Sequence, residues 1–425
     1  MKQYQIIKYL MTFLGRLLNP LLKSQRLALP VARLNAMINI RLALRAIESV
    51  KKGRVIRGAR GINIAGQIAS ESGVGEAARS SIRAIEAAGI PHVLNNIPGL
   101  SRQNDLTYTD FSEGNPYMIN LIHVNADGAP DFFLRGPGRF KDRYNIGYWL
   151  WELSEFPRQW RDSFRFFDEI WTSSDFCAES ISKSSPVPVV KIPLAVEVKG
   201  LKNLKRPDFG LEEDKFIFLF VFDFYSYIER KNPLAAVEAF RRAFGGSTRA
   251  QLVLKCSNSH WNIRERDRLL EASRGLDVKL IDGYLGKEEL HTLVSLCDCY
   301  LSLHRSEGFG FTLAEAMYLE KPVIATGYSG NMDFMDDTNS FLVRHSMVKI
   351  EKESGPYKKG NVWAEPDASH AAELLRLVYE NSDLARKVGR KAAADIKALL
   401  CPASVGKMIH ARVAEIEGSV AGKLI

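Results

Sequence analysis

Tyr300-Leu301-Ser302-Leu303-His304-Arg305-Ser306-Glu307-Gly308-Phe309-Gly310-Phe311-Thr312-Leu313-Ala314-Glu315 reads as a short apolar strand, a glycine-containing turn and a helix. Gly308 and Gly310 let the backbone approach a partner closely, because no Cβ stands in the way. The first N–H groups of the helix lack intrahelical partners and carry partial positive charge, which suits an anionic group such as a phosphate. Glu307 lies in the turn and Glu315 in the second helical turn, so both can face one side. An ionised carboxylate is a strong acceptor for paired hydroxyls. On spacing alone, the same two residues also read as a helix cap and a solvated helix position.

On either side of this stretch strands and helices alternate, the pattern of parallel α/β sheets. Upstream, strands are expected over 216–222, 251–256 and 278–281, with helices over 233–244 and 288–296. Downstream come the helix 311–319, a strand over 323–325 and a helix after His370. A polar, strand-poor stretch over 197–215 reads as a linker. Before it the alternation occurs once already, with strands over 61–65, 117–123, 143–149, 169–172 and 187–191 and a helix over 175–182. The expected fold is therefore two doubly wound α/β domains facing a central cleft, at 61–200 and 201–395. A basic helical arm precedes them at 1–60, and a C-terminal helix at 396–425 crosses back to the first domain. Open parallel sheets bind ligands beyond the carboxyl ends of their strands, so the cleft is the expected site.

Charge sharpens the role of the arm. Residues 1–60 hold thirteen Lys/Arg and a single acid, Glu48, a net +12 against +9 for the 425-residue chain, which leaves −3 for the rest. Apolar clusters at 9–11, 13–14, 17–18 and 21–22 are broken by Arg16, Pro20 and Lys23, so no run reaches the ~20 residues that span a bilayer. A basic amphipathic helix on an anionic membrane surface fits better, each Lys or Arg contributing about 1 kcal/mol there. A leucine-rich face has no use on a phosphate backbone, which argues against nucleic acid; packing on the first domain is the bland reading. The five scattered cysteines indicate a reducing compartment, and Cys297 and Cys299 read as small buried residues.

Ser-Glu-Gly-Phe-Gly and Ala-Glu-Ala-Met, with seven residues between Glu307 and Glu315, resemble the signature of family 4 glycosyltransferases. Lys321-Pro322-Val323-Ile324-Ala325-Thr326 and Ser329-Gly330-Asn331 resemble that family's continuation. The resemblance is dense over 216–366, looser over 61–200 and absent from the arm. It implies the GT-B fold and a retaining, metal-independent hexosyltransferase. It also implies a nucleotide sugar as substrate (GDP- or UDP-linked, GDP-mannose named first), with no cofactor and with a glycan or lipid-linked acceptor of surface polysaccharide synthesis. A cytoplasmic enzyme, peripheral on the inner membrane face, follows from these readings together.

Carried onto this chain, the resemblance gives Glu307 the transferred sugar, Glu315 the ribose, and Gly308, Phe309, Gly310, Thr312, Ser329 and Gly330 the donor phosphates and their loop. Arg230 and Lys231 match a basic site for the leaving diphosphate, and Lys255 is a third cation in place of a common glycine. Phe222-Asp223 departs from the glycine-arginine pair expected there. In the first domain, Gly73 and Gly75 match a glycine-rich acceptor loop, and His123, whose titration range suits proton handling, matches a histidine near the donor sugar. Trp149 and Glu152 in the aromatic run 147–152 are acceptor-binding candidates, a core reading standing beside them. On the family's mechanism the acceptor oxygen bonds to C1 on the face the diphosphate leaves, and that diphosphate takes the proton. No Asp-x-Asp pair is placed to hold a divalent ion. The competing classes are a nucleotide-sugar epimerase on the same fold and a non-catalytic membrane-associated scaffold. Glu307→Ala is expected to fold normally and to lose turnover.

Overall fold

The computed structural model describes residues 28–98, 105, 107–245 and 249–421. Residues 1–27, with the leucine clusters of the arm, lie outside them. Among the described residues, no helix is long and apolar enough to cross a membrane.

Two six-stranded parallel sheets form the molecule. The first contains β1 (Ala59–Gly66), β2 (His92–Asn96), β3 (Tyr117–His123), β4 (Tyr144–Tyr148), β5 (Glu169–Thr172) and β6 (Val189–Lys191), in the order β2-β1-β3-β4-β5-β6. The second contains β7 (Phe216–Asp223), β8 (Ala250–Ser257), β9 (Val278–Asp282), β10 (Cys299–Ser302), β11 (Val323–Thr326) and β12 (Phe341–Val343), in the order β12-β11-β10-β7-β8-β9. Each order reverses once, between β1 and β3 and between β7 and β10. An antiparallel hairpin, β13 (His345–Lys349) and β14 (Val362–Pro366), follows the second sheet.

The helices, in chain order, are α1 (Ala28–Lys51), α2 (Gly73–Ala87), α3 (Ala129–Arg135), α4 (Asp175–Ser182), α5 (Ile228–Lys231), α6 (Pro233–Phe244), α7 (Ile263–Ala272), α8 (Lys287–Leu296), α9 (Phe311–Tyr318), α10 (Ala368–Glu380), α11 (Ser382–Leu399) and α12 (Pro402–Ala421). β7 is apolar on both faces because both are covered: Ile217 and Leu219 enter one core cluster, Phe218, Phe220 and Phe222 another. In the first sheet a buried amide ladder crosses three strands. Asn63 donates to Asn120 at 3.0 Å, and Asn120 to Asn145 at 2.7 Å. A one-residue slip would leave these amides buried and unpaired, so the ladder fixes the register.

α1 packs on the first domain rather than standing free. Ala43 and Ile47 are buried with Phe132, Phe133, Phe140 and Phe164, and Arg54 holds Asp168 through two bonds of 2.9 and 2.7 Å. Its opposite side exposes Arg41 and Arg45. α12 lies across α2, burying Val405, Ile409, Val413 and Ile416 with Ile82 and Ile85. Arg412 of α12 pairs with the fully buried Glu169 of β5.

Candidate functional site

The reversal between β7 and β10 is where an open parallel sheet receives a ligand, and both segments leaving it carry charge. β7 ends at Asp223, whose carboxylate accepts from the Tyr225 N–H at 2.8 Å and turns the chain. Tyr227 (φ 62°) and Asn232 (φ 57°) then bracket α5 with positive-φ backbone, and Pro233 opens α6 with its φ already suited to a first helical turn. The short turn so defined holds Arg230 and Lys231 side by side.

β10 delivers Glu307 to meet them. Its carboxylate is 8% exposed, with Arg230 Nη1 3.1 Å from Oε2 and Lys231 Nζ 2.5 Å from Oε1. Burial alone pushes the Glu307 carboxyl up, but Lys231, Arg230 and His304 hold it down at about 2. Burial and the adjacent Arg230 draw the Lys231 ammonium below its ordinary range, against the pull of Glu307. Arg230 also donates to the Ser306 carbonyl at 2.7 Å, and its own carbonyl accepts from the Arg305 N–H at 2.8 Å.

The loop is fixed from below as well. The Glu307 N–H donates to Ser329 Oγ at 2.8 Å and its carbonyl accepts from the Gly330 N–H at 2.9 Å. A Cβ on Gly330 would sit 2.1 Å from the Gly308 carbonyl oxygen, so only glycine fits there. Gly310 takes φ 98° and opens α9, which has no side-chain cap. Phe309 is buried against Phe311 and Phe334 at 5.2 and 5.3 Å, and Thr312 bonds the Tyr300 hydroxyl.

The family model "Glycosyl transferases group 1" matches residues 202–395. The matched residues span the second sheet, β7 to β12, and include the Glu307 turn. The trehalose synthases of Thermococcus litoralis and Pyrococcus furiosus are each 23% identical over 265 residues, 60% of this chain and 57% of theirs. The chain thus spans just over half the length of these curated relatives. Among solved structures, sucrose-phosphate synthase from Thermosynechococcus elongatus superposes with a TM-score of 0.63 at 16% identity, over 85% of this chain and 100% of that one. Anabaena HepE, solved with UDP and glucose, gives 0.59 at 13% identity, over 84% and 100%. The fold is GT-B.

Outside the Glu307 cluster, the other residues singled out in the second domain fall into other settings. Glu315 Oε1 accepts from His291 Nε2 of α8 at 3.2 Å and makes no ion pair with Arg230 or Lys231. Lys255 turns its ammonium to the backbone, donating to the carbonyls of Cys256 (2.8 Å) and Gly283 (2.6 Å). It joins the ends of β8 and β9 and makes no ion pair with Glu307. Cys297 and Cys299 are buried.

The first domain presents its own reversal, between β1 and β3. Gly73 and Gly75 open α2 there, Gly75 donating to Ser72 Oγ at 3.1 Å with no room for a Cβ beside the Ser70 carbonyl; Gly73 stands in open space. Glu76 in the same turn reaches Lys287 of the second domain at 2.7 Å. Burial raises its carboxyl, and Lys287, Arg83 and Arg79 bring it to about 2. His123 ends β3, stacked on Tyr148 at 4.6 Å. Burial drives its pKa to about 3, so at neutral pH it is an uncharged ring, and the expected titration near neutrality does not hold. Its Nε2 has no hydrogen-bond partner among the described residues.

Trp149 is a correction of the aromatic reading. It is 1% exposed, stacked on Phe156 at 5.7 Å and crossed by Phe164 and Phe167, which leaves no ring face for a sugar. Glu152, by contrast, lies at the cluster rather than apart from it. Its carbonyl accepts from the Ser306 hydroxyl and its Oε2 from the Tyr357 hydroxyl, the latter at 3.1 Å. The Gly308 carbonyl is gripped from the first domain by Ser173 Oγ (3.0 Å) and Ser174 Oγ (2.7 Å).

Two participants escaped the sequence reading. His304 is buried between Ser302 Oγ and Asn331 Oδ1 at 3.1 Å each, its ring drawn below its ordinary range by burial, and it neighbours the Glu307 carboxylate. Its place at the end of β10 was the available signal. Tyr357 had none, being separated from its partner Glu152 by 205 positions.

Proposed function

We propose that this chain is a retaining, metal-independent glycosyltransferase moving a hexose from a nucleotide sugar to a glycan or lipid-linked acceptor. The observation that carries the reading is the buried carboxylate of Glu307 held between Arg230 and Lys231 at the carboxyl-end reversal of the second sheet. Two cations at that point suit a diphosphate, and the α9 N-terminus beside them adds its unpaired N–H groups. As the diphosphate shares the cations, Glu307 turns to the hexose hydroxyls. The acceptor oxygen bonds to C1, the C1–O bond to phosphate breaks on the same face, and the proton passes to the leaving diphosphate. The protein contributes position and charge.

The complexes of HepE with UDP and with UDP-glucose make UDP-glucose the first donor to try; GDP-mannose follows. Glu315 keeps the ribose role in this reading, and Gly73 and Gly75 the acceptor side. A location on the inner face of the membrane belongs to the same proposal, supported by the +12 of residues 1–60 and the exposed Arg41 and Arg45.

The test is Glu307→Gln, which keeps the shape and one acceptor oxygen but removes the charge. Sugar release or transfer from UDP-glucose, measured on protein verified as folded, is expected to fall by about 100-fold or more. Turnover within about threefold of the parent would refute the assignment.

A further inference from the structure

The hairpin β13–β14 belongs to the second half of the chain, yet its buried residues do not join that half's core. Ile350, Tyr357 and Trp363 pack instead in the aromatic cluster of the first domain, with Trp149, Trp151 and Phe156. The tip reaches the cleft through a tight turn: Ser354 and Tyr357 exchange both backbone bonds, at 3.1 and 3.0 Å. Gly355 (φ 56°) lies flat on the Tyr227 ring, where a Cβ would come within 2.0 Å. Ser354 Oγ donates to Glu229 at 2.8 Å.

The tip therefore seats on the turn that holds Arg230 and Lys231. Tyr227, which starts that turn, has a positive φ, and such backbone persists only where the surroundings over-determine it. Tyr357 is the point of contact on both sides. Its ring meets Tyr227 edge-on at 5.3 Å and Trp151 at 5.7 Å, and its hydroxyl crosses to Glu152 of the first domain. Glu152 in turn holds Ser306, the residue before Glu307, and Ser306 accepts from Arg230. A closed circuit runs Tyr357–Glu152–Ser306–Arg230–Tyr227–Tyr357 through both domains.

We propose that this hairpin is a brace across the cleft and that Tyr357 is a positioning residue for the Arg230–Lys231–Glu307 cluster, tying its setting to contact with Glu152. Its role in transfer rests on reading that cluster as a donor site. Tyr357→Phe removes the hydroxyl and keeps the ring, so the aromatic packing survives; Glu152→Ala removes the other partner from the opposite domain.

The measurement is hydrogen–deuterium exchange on the full chain as parent, Tyr357→Phe, Glu152→Ala and the double variant. Each single variant is expected to speed exchange over 227–232 by about tenfold, the scale of one hydrogen bond to a charged group, and the double variant no further. Exchange there unchanged in Glu152→Ala, or single effects that multiply in the double variant, would overturn the brace. In Tyr357→Phe, UDP affinity by calorimetry is expected to stay within about twofold while glucose release from UDP-glucose drops about tenfold, because closure serves transfer more than nucleotide binding. Equal release rates would overturn the positioning role. If UDP binds neither protein, the donor reading fails, and the exchange result still judges the brace.

Discussion

At the scale of single residues, burial reverses two expectations drawn from residue type. His123 suits proton handling by its ordinary range, but a fully enclosed ring cannot take up a proton without losing its hydration. Its pKa of about 3 has a consequence for stability. Below about pH 6.5 the unfolded chain binds a proton at this residue that the folded chain refuses until about pH 3, so stability falls as pH drops through that window. From about pH 6.5 to about pH 5 the loss through His123 is about 2 kcal/mol. Urea titrations at those two values should therefore show the parent losing about 2 kcal/mol more than His123→Asn; equal losses would mean the folded ring does protonate. Glu307 is the other case. Its alanine variant leaves Arg230 and Lys231 buried without their counter-ion, a cost of about 3–5 kcal/mol, so the expectation that Glu307→Ala folds normally gives way to the glutamine variant as the informative one.

Elements differ in how openly the sequence declares them. β7 is legible because seven apolar residues in a row have no other use in a chain of this polarity, and β10–α9 because glycine punctuates a change of period from two to 3.6. β2 is not, since His92, Asn95 and Asn96 look like turn residues. Asn95 earns its place in the strand only by donating to the Ser112 and Gly114 carbonyls, 17 and 19 positions away. β13 and β14 alternate weakly and carry charge, and their apolar partners lie in the other domain. In the site, Arg230, Lys231 and Glu307 were legible as separate strand-end residues; their pairing, and the roles of His304 and Tyr357, depend on contacts made across long separations. Lys255 looked the same as Lys231 in sequence, yet two backbone carbonyls claim it. α12 offers a test at this scale. Gly406 lets it settle on α2, and a Cβ would lie 2.5 Å from the Ala84 carbonyl. Gly406→Ala is expected to cost about 1–3 kcal/mol in thermal or urea unfolding; an unchanged midpoint would show that the helix pair has slack.

Over the whole molecule, residues following the strand ends of one domain make polar contacts with those of the other. Glu76 with Lys287 closes one side, Lys191 with Asp333 another (3.1 Å), and Tyr357 with Glu152 a third. Between them the Gly308 carbonyl is held by Ser173 and Ser174, so the turn that opens α9 is shared by both domains. This arrangement, rather than any one residue, is what a nucleotide sugar and an acceptor would need in order to meet. In the proposed function a nucleoside diphosphate binds at the Arg230–Lys231 turn. Calorimetric titration of UDP, GDP and ADP into the parent and into Lys231→Gln tests it most directly. Binding of one of the three to the parent in the micromolar range, weakened by about 10-fold or more in the variant, is the predicted result. No binding by any of them near 1 mM, or equal affinity in both proteins, would contradict it.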